Sequence, residues 1–343
     1  MKIIVDAMGG DNAPDEIVKG ALDASEEYGV DVLLCGRGED ILRVVDSMGL
    51  SGLPSGVELV NATEVIDMED DPAKAVLRKK DSSLTVALNL LHDGRGDALV
   101  SAGSTGALLS GATLIVKRVR GIRRAALAPF IPNAAGGFVL IDSGANSECT
   151  PEYLLQFAYM GYYYARDVLK INTPRVGLLN NGTEPTKGTP LHLEAYRLLE
   201  KAGHDGNLNF IGNVEAKEVL ADACDVLVCD GFSGNILLKS FEGMASFILS
   251  ELKGIYKNNL ITKLSALLIK KHINNLRVRM NPDTIGGTIL LGIVKPVIKA
   301  HGSSNAAAIK SAIRQAITAA NADAASQLSA ISALMKTGES SEE

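Results

Sequence analysis

Tryptophan is absent, and aromatic residues make up only 4% of the 343-residue chain. A surface that stacks successive bases needs aromatic rings in series, so a single-stranded nucleic-acid groove is not expected. Charge argues the same way: the formal net charge is −6, the wrong sign for a polyanion binder. No apolar run approaches the roughly 20 residues of a membrane-spanning helix. The first residues show no charged stretch followed by an apolar one, because Met1 leads straight into Lys2-Ile3-Ile4-Val5, so a secretory leader is not expected. Cysteine is scarce, limited to Cys35, Cys149, Cys224 and Cys229. None stands in a C-x-x-C pair, which predicts free thiols in a reducing cytoplasm. Cys229 precedes a glycine motif, so a reactive thiol there is the alternative. H-E-x-x-H, G-x-S-x-G and clustered His/Cys ligands are also missing, and neither a metal nor a redox cofactor is expected.

What the chain does have is glycine, 34 residues of it, and a hydrophobic content of 46%. The length suits roughly two domains. Strand-like runs at 3–5, 31–35, 57–60, 97–101, 137–142, 175–179, 208–212 and 225–229 alternate with helical patterns. That alternation predicts an α/β fold with mostly parallel sheets and helices on both faces. Gly121 to Pro132 reads as a basic, proline-bounded connection, and Ala306 to Leu334 as one or two alanine-rich helices.

Four of these strands run into polar glycine loops. Lys2-Ile3-Ile4-Val5 passes through Asp6, Gly9, Gly10 and Asn12 to a helix start after Pro14. ALVSAGSTGALL carries Ser101, Gly103, Ser104, Thr105 and Gly106; VLVCDGFSGNILL carries Asp230, Gly231, Ser233, Gly234 and Asn235. FVLIDSGANSE carries Asp142 and Asn146. Such a strand–loop–helix unit aims backbone N–H groups beyond the strand's carboxyl end, where an anion fits. A single glycine loop would be read as close packing; four with hydroxyl, amide or carboxylate groups point to a binding site. Gly36 and Gly38 do not begin a dinucleotide fingerprint, because Glu39 and Asp40 follow where the pyrophosphate would need N–H donors.

DAMGGDNAP at Asp6, SAGSTGAL at Ser101, LIDSGAN at Leu140, NNGTEPTKG at Asn180, CDGFSGNILLK at Cys229 and KAHGSS at Lys299 resemble, in order, the motifs of the PlsX family of bacterial phosphate acyltransferases. The resemblance covers nearly the whole chain; Ser104 is one departure, at a place where asparagine is usual. It implies transfer of a long-chain acyl group from acyl carrier protein to inorganic phosphate, giving acyl phosphate for glycerol-3-phosphate acylation in phospholipid synthesis. It also implies a two-lobed fold like those of isocitrate and isopropylmalate dehydrogenases and of phosphotransacetylases. The first lobe is then placed at 1–110 plus 283–333, completed by C-terminal helices. The second is placed at 111–282, and residues 334–343 form an acidic, disordered tail. A homodimer is implied, with the downstream glycerol-3-phosphate acyltransferase as a further partner.

Phosphate is a well-solvated nucleophile, so such an enzyme has to desolvate it, fix it with N–H donors and a cation, and aim one oxygen at the thioester. Candidate positioning groups are Arg78 and Lys80 with Ser82 and Ser83, at a helix start; from these residues alone a solvated basic turn fits equally well, and the resemblance favours the phosphate cradle. Lys187 lies in a flexible loop, where it is either a solvent lysine or an anion contact. Ser233 and Asn235 either cap a helix or donate to phosphate or an oxyanion, with Asp230 orienting a neighbour. Asp142 and Asn146 take similar polar roles, and Lys239 follows on the same helix. His301 precedes another glycine-serine turn, where it is read as a residue that positions substrate. The expected catalytic set is Lys187, Asp230, Ser233, Asn235 and His301; the remaining loop residues above are expected to bind substrate.

Residues 245–280 hold Lys253, Lys257, Lys263, Lys270, Lys271, Arg277 and Arg279 against the single acid Glu251. Leu260, Ile261, Leu264, Leu267 and Leu268 add apolar positions at largely helical spacing, so two helices joined near Asn258 and Asn259 are expected. Three uses compete: a dimer interface, a dock for acidic acyl carrier protein, and contact with an anionic membrane surface. The third makes the chain a cytoplasmic protein held peripherally at the inner face of the cell membrane.

Overall fold

The computed structural model describes residues 1–259, 262, 263, 265, 268–273 and 286–322. It contains two mostly parallel sheets flanked by helices, as the alternating pattern predicts.

The larger sheet is built from β1 (Lys2–Asp6), β2 (Asp31–Gly36), β3 (Val57–Asn61), β4 (Ala98–Ser101), β5 (Ala126–Ala128), β11 (Thr288–Leu291) and β12 (Val297–Lys299). Its order is β3-β2-β1-β4-β12-β11-β5. Strands β1, β2, β3, β4 and β12 run parallel, while β11 is antiparallel to both its neighbours. Ile3, Ile4, Val5, Leu33, Leu34, Leu99 and Val100 are fully buried. Central parallel strands are covered on both faces, which explains their unbroken apolar runs. The chain moves outward from β1 through β2 to β3, then returns to place β4 on the other side of β1. Connections therefore diverge between β1 and β4, and a crevice opens there at the strands' carboxyl ends.

The smaller sheet comprises β6 (Phe130–Ile131), β7 (Phe138–Ile141), β8 (Arg175–Asn180), β9 (Asn209–Glu215) and β10 (Val226–Val228), in the order β6-β7-β10-β8-β9. β10 lies parallel between β7 and β8, so the loops after β7, β8 and β10 share one edge. The sheets are joined where the Leu127 N–H of β5 donates to Asp142 Oδ1 at 2.9 Å and the Ser143 N–H donates to Leu127 O at 3.0 Å. One continuous apolar core runs through both sheets, from Val5 and Val100 to Ile141, Val176 and Val228.

Helices follow the strands. α1 (Asp15–Tyr28), α2 (Gly38–Ser47), α3 (Pro72–Arg78), α4 (Ser83–His92) and α5 (Thr105–Gly111) accompany the larger sheet; α6 (Pro151–Tyr163), α7 (Pro190–His204) and α8 (Gly231–Lys257) accompany the smaller. α9 (Ala306–Asn321) packs against α1, burying Ala308, Ile309, Ala312, Ile313, Ala316 and Ala319.

All eight strands read from the sequence are present, but four others are not in that reading. β5 and β6 lie in the stretch read as a connection, and Ala126–Ala128 pairs with β11 in the larger sheet. β11 and β12 precede the alanine-rich helical stretch, where the sequence reading names no element. Each is two to four residues long and bounded by Gly121, Pro129, Pro132, Gly292 or Pro296, too short to show a period.

The basic segment does not begin a new element at residue 245. α8 starts at Gly231 and runs unbroken for 27 residues, about 40 Å, to the turn at Asn258 and Asn259. Asn259 Oδ1 then accepts from the Thr262 N–H at 2.9 Å, opening a second helical segment. Leu260, Ile261, Leu264, Leu267, Arg277, Arg279 and the tail at 334–343 lie outside the described residues.

Candidate active site

Three adjacent strands of the larger sheet, β1, β4 and β12, end in the DAMGGDNAP, SAGSTGAL and KAHGSS loops. Asp6 closes β1 and is 2% exposed. Ser101 Oγ donates to Asp6 Oδ2 at 2.7 Å and itself accepts from the Gly103 N–H at 3.1 Å. Ser83, at the start of α4, also hydrogen-bonds the Asp6 carboxylate. Burial still raises the Asp6 pKa above its ordinary value, and these donors pull the other way.

Glycine is required where the loops touch. A Cβ on Gly9 would sit 2.6 Å from Asp6 Oδ2 and 2.7 Å from the Gly103 nitrogen. Gly10 adopts φ +105°. The Asp11 N–H donates to Gly302 O at 2.8 Å, and Asn12 Nδ2 donates to Ser303 O at 3.0 Å. Asn12 thus holds one loop to another. His301 is exposed, with Nδ1 accepting from the Ser303 N–H at 3.3 Å.

Lys299, the last residue of β12, is not among the candidates read from the sequence, although it opens the KAHGSS motif. Its Nζ donates to Ala102 O at 3.2 Å and to Ala300 O. Burial depresses its pKa to about 8; Asp6 and Asp11 oppose that shift, and Lys239 adds to it. Lys239 lies on α8, which accompanies the smaller sheet, and is near enough for its charge to act on Lys299.

The second half is built on β7, β8 and β10. Asp142, fully buried, accepts from the N–H groups of Leu127, Gly144, Ala145 and Asn146 and from Asn146 Nδ2. Asn146 Nδ2 donates also to Ala125 O at 2.8 Å. Both side chains therefore build the loop from within. Asp230 caps α8: Oδ1 accepts from the Ser233 N–H at 2.9 Å and Oδ2 from Ser233 Oγ at 2.8 Å. Asn235 Nδ2 donates to Ser143 O at 3.2 Å, tying α8 to the Asp142 loop. Gly234 packs on that loop so closely that a Cβ would overlap the Asp142 carbonyl oxygen.

Lys187 is exposed in the loop before α7, and its N–H donates to Glu184 O at 3.1 Å. His192 follows in the first turn of α7, with Nδ1 2.8 Å from Thr189 Oγ1. Burial lowers its pKa and the nearby Asp230 partly restores it. This histidine is also absent from the sequence candidates; its Cβ lies so close to Gly188, at φ +94°, that a side chain there would overlap it.

The Arg78–Ser83 segment divides. Ser82 caps α4, accepting from the Thr85 N–H at 3.3 Å, and donates to Thr85 Oγ1 at 2.8 Å. Ser83 joins the Asp6 cluster, whereas Arg78 and Lys80 are exposed. Ser104 caps α5, accepting from the Ala107 N–H at 3.4 Å, with Thr105 exposed and Gly106 packed on Pro72. Lys239 pairs with Glu242 at 2.7 Å. Lys263, Lys270, Lys271 and Leu268 are exposed in the segment after α8.

Residues 1–327 match the family model of the fatty acid synthesis proteins. The phosphate acyltransferase of Thermoanaerobacter pseudethanolicus is 47% identical over 317 residues, 92% of each chain. That of Clostridioides difficile is 46% identical over 318 residues, again 92% of each. Among solved structures, a phosphotransacetylase from Streptococcus pyogenes superposes with a TM-score of 0.63 at 20% identity, covering 94% of both chains. A 4-hydroxythreonine-4-phosphate dehydrogenase from Klebsiella pneumoniae gives 0.55 at 12% identity, covering 93% of this chain and 99% of that one. These two share the fold. On the family match and the identity to curated relatives, the chain belongs to the fatty acid synthesis protein family and is an acyltransferase.

Proposed function

We propose that the protein transfers a long-chain fatty acyl group from acyl carrier protein to inorganic phosphate, releasing acyl phosphate for glycerol-3-phosphate acylation in phospholipid synthesis. The observation that carries this reading is the convergence of three glycine loops at the carboxyl ends of β1, β4 and β12, around Asp6 and Ser101. Lys299, at the end of β12, feels the charge of Lys239, which lies on the helix that Asp230 caps. Rigid N–H groups and two cations suit a small anion, and relatives at 46–47% identity are phosphate acyltransferases.

Direct attack is the mechanism. A phosphate oxygen forms the new bond to the thioester carbon, and the carbon–sulfur bond breaks with its electron pair leaving on sulfur. A thiol of ordinary pKa, about 8.5, needs no acid to depart. Lys187 and His301 are exposed polar groups placed to contact substrate. The Ser233 proton is held by Asp230, so the second Asn235 amide N–H is the better donor to a developing oxyanion. Cys229 is 1% exposed and burial holds its thiol well above the ordinary range, which favours direct attack over an acyl-cysteine route.

We propose also that α8 and the segment after it project as a basic hairpin serving a second subunit and an anionic membrane surface. Phe232, Ile236, Met244, Phe247, Ile248 and Ile255 are exposed along α8, and Leu268 is 86% exposed. Leu264→Glu with Leu268→Glu is expected to abolish sedimentation with anionic vesicles; unchanged sedimentation would remove the membrane role. The same apolar face favours one rival, a scaffold of lipid synthesis without catalysis. Lys187→Ala and Asp230→Ala separate the two: loss of acyl phosphate formation by folded variants supports the enzyme, and intact lipid synthesis in cells supports the scaffold.

A further inference from the structure

We propose that Lys299 is a phosphate-binding residue, holding the anion jointly with Lys239 from the facing helix. The proposal rests on the acyl transfer to phosphate argued above. Lys299 is half-buried, and two of its three N–H groups donate to the backbone carbonyls of Ala102 and Ala300. Those carbonyls belong to the β4 and β12 loops, so the ammonium is locked where loops of the site meet. One N–H remains for a ligand.

Neutral carbonyls do not offset a buried charge. Asp6 and Asp11 act on Lys299 through space, and among the described residues neither reaches ion-pair distance of Nζ. Asp6 is already engaged by Ser101 and Ser83. Lys239 lies near enough to disfavour the Lys299 charge, and its own ion pair with Glu242 holds it on α8. Two cations from opposite halves of a site, one of them half-buried, disfavour each other's charge, and an arriving anion relieves that. Lysines suit this role as point charges that tolerate a phosphate turning toward the thioester. A purely structural Lys299 would tie β12 to the β4 loop and do nothing else.

The test uses full-length protein, inorganic phosphate and acyl-acyl carrier protein. For Lys299→Met the KM for phosphate is expected to rise about tenfold or more, with the KM for the acyl donor little changed. The rise in Tm that phosphate gives the wild type should vanish. Lys299→Arg should recover part of both. Lys239→Met, on an exposed helix position, should raise the KM for phosphate without lowering Tm. An unchanged KM for phosphate in folded Lys299→Met, or a retained phosphate-induced Tm rise, would overturn the proposal.

Should Lys299→Met not fold, wild-type titration decides. Its KM for phosphate should climb above about pH 8, where Lys299 loses its proton among Asp6, Asp11 and Lys239. A flat profile to about pH 10, below the range of an ordinary lysine, would count against it. If the wild type makes no acyl phosphate yet phosphate stabilises it and not Lys299→Met, the function fails and the anion site stands.

Discussion

Ser101 Oγ donates a 2.7 Å hydrogen bond to the carboxylate of Asp6, its register partner across the parallel pairing of β4 with β1. The pair fixes the two loops that diverge at the crevice. Ser101→Ala leaves a buried carboxylate short of a donor, which is expected to cost about 1–3 kcal/mol in urea denaturation. Burial already raises the Asp6 pKa, and losing a donor to the charged form raises it further. The loss should therefore shrink as pH is lowered through the folded-state pKa and Asp6 takes up its proton. A pH-independent loss would show that Ser101 acts by packing.

Asp230 receives both the N–H and the hydroxyl of Ser233. Asp230→Ala removes the cap of α8, and about 0.5–2 kcal/mol of stability should go with it. Ser233→Ala keeps the N–H bond and should cost less. Thermal melts of the two variants, ranked in that order, check the assignment of Asp230 as the cap.

Gly234 lies against the Asp142 carbonyl with no room for a side chain. Gly234→Ala must push α8 off the Asp142 loop, at a cost of about 3 kcal/mol or more in denaturant. Because that loop also joins the sheets through Leu127, the variant should lose cooperativity of unfolding as well as activity.

Three of the four cysteines, Cys35, Cys224 and Cys229, are buried, and burial pushes the Cys149 and Cys224 thiols up to about 12. Thiolate is the reactive form, so native protein should resist alkylation at neutral pH and keep its turnover. Rapid inactivation by iodoacetamide, with protection by acyl donor, would revive an acyl-cysteine intermediate.

Lys299 carries a stability signature of its own. Its folded pKa, about 8, lies below the ordinary lysine value of 10.5. Between those values the unfolded chain binds the extra proton, so this residue makes stability rise with pH across that window. The gap in urea stability between wild type and Lys299→Met should move in favour of the wild type as pH rises from 8 toward 10.

Much of this was legible in the residues. Long apolar runs such as Lys2–Asp6 and Asp31–Gly36 declared themselves, and the glycine loops marked their carboxyl ends. What escaped was the short and the non-local. Thr288–Leu291 and Val297–Lys299 are strands because β4 and β5 await them, and no local pattern says so. Asp142 resembled Asp230 in its motif, but folding turned the first inward to five donors and made the second a helix cap. His192 and Lys299 became candidates only when distant loops met, since neither has a chemical neighbour in sequence that marks it.

The central claim is tested most directly by incubating the purified protein with palmitoyl-acyl carrier protein and labelled inorganic phosphate. The expected result is a labelled, hydroxylamine-sensitive acyl phosphate, formed with release of free carrier-protein thiol and lost in folded Asp230→Ala. No labelled product from folded protein with intact donor would contradict the account.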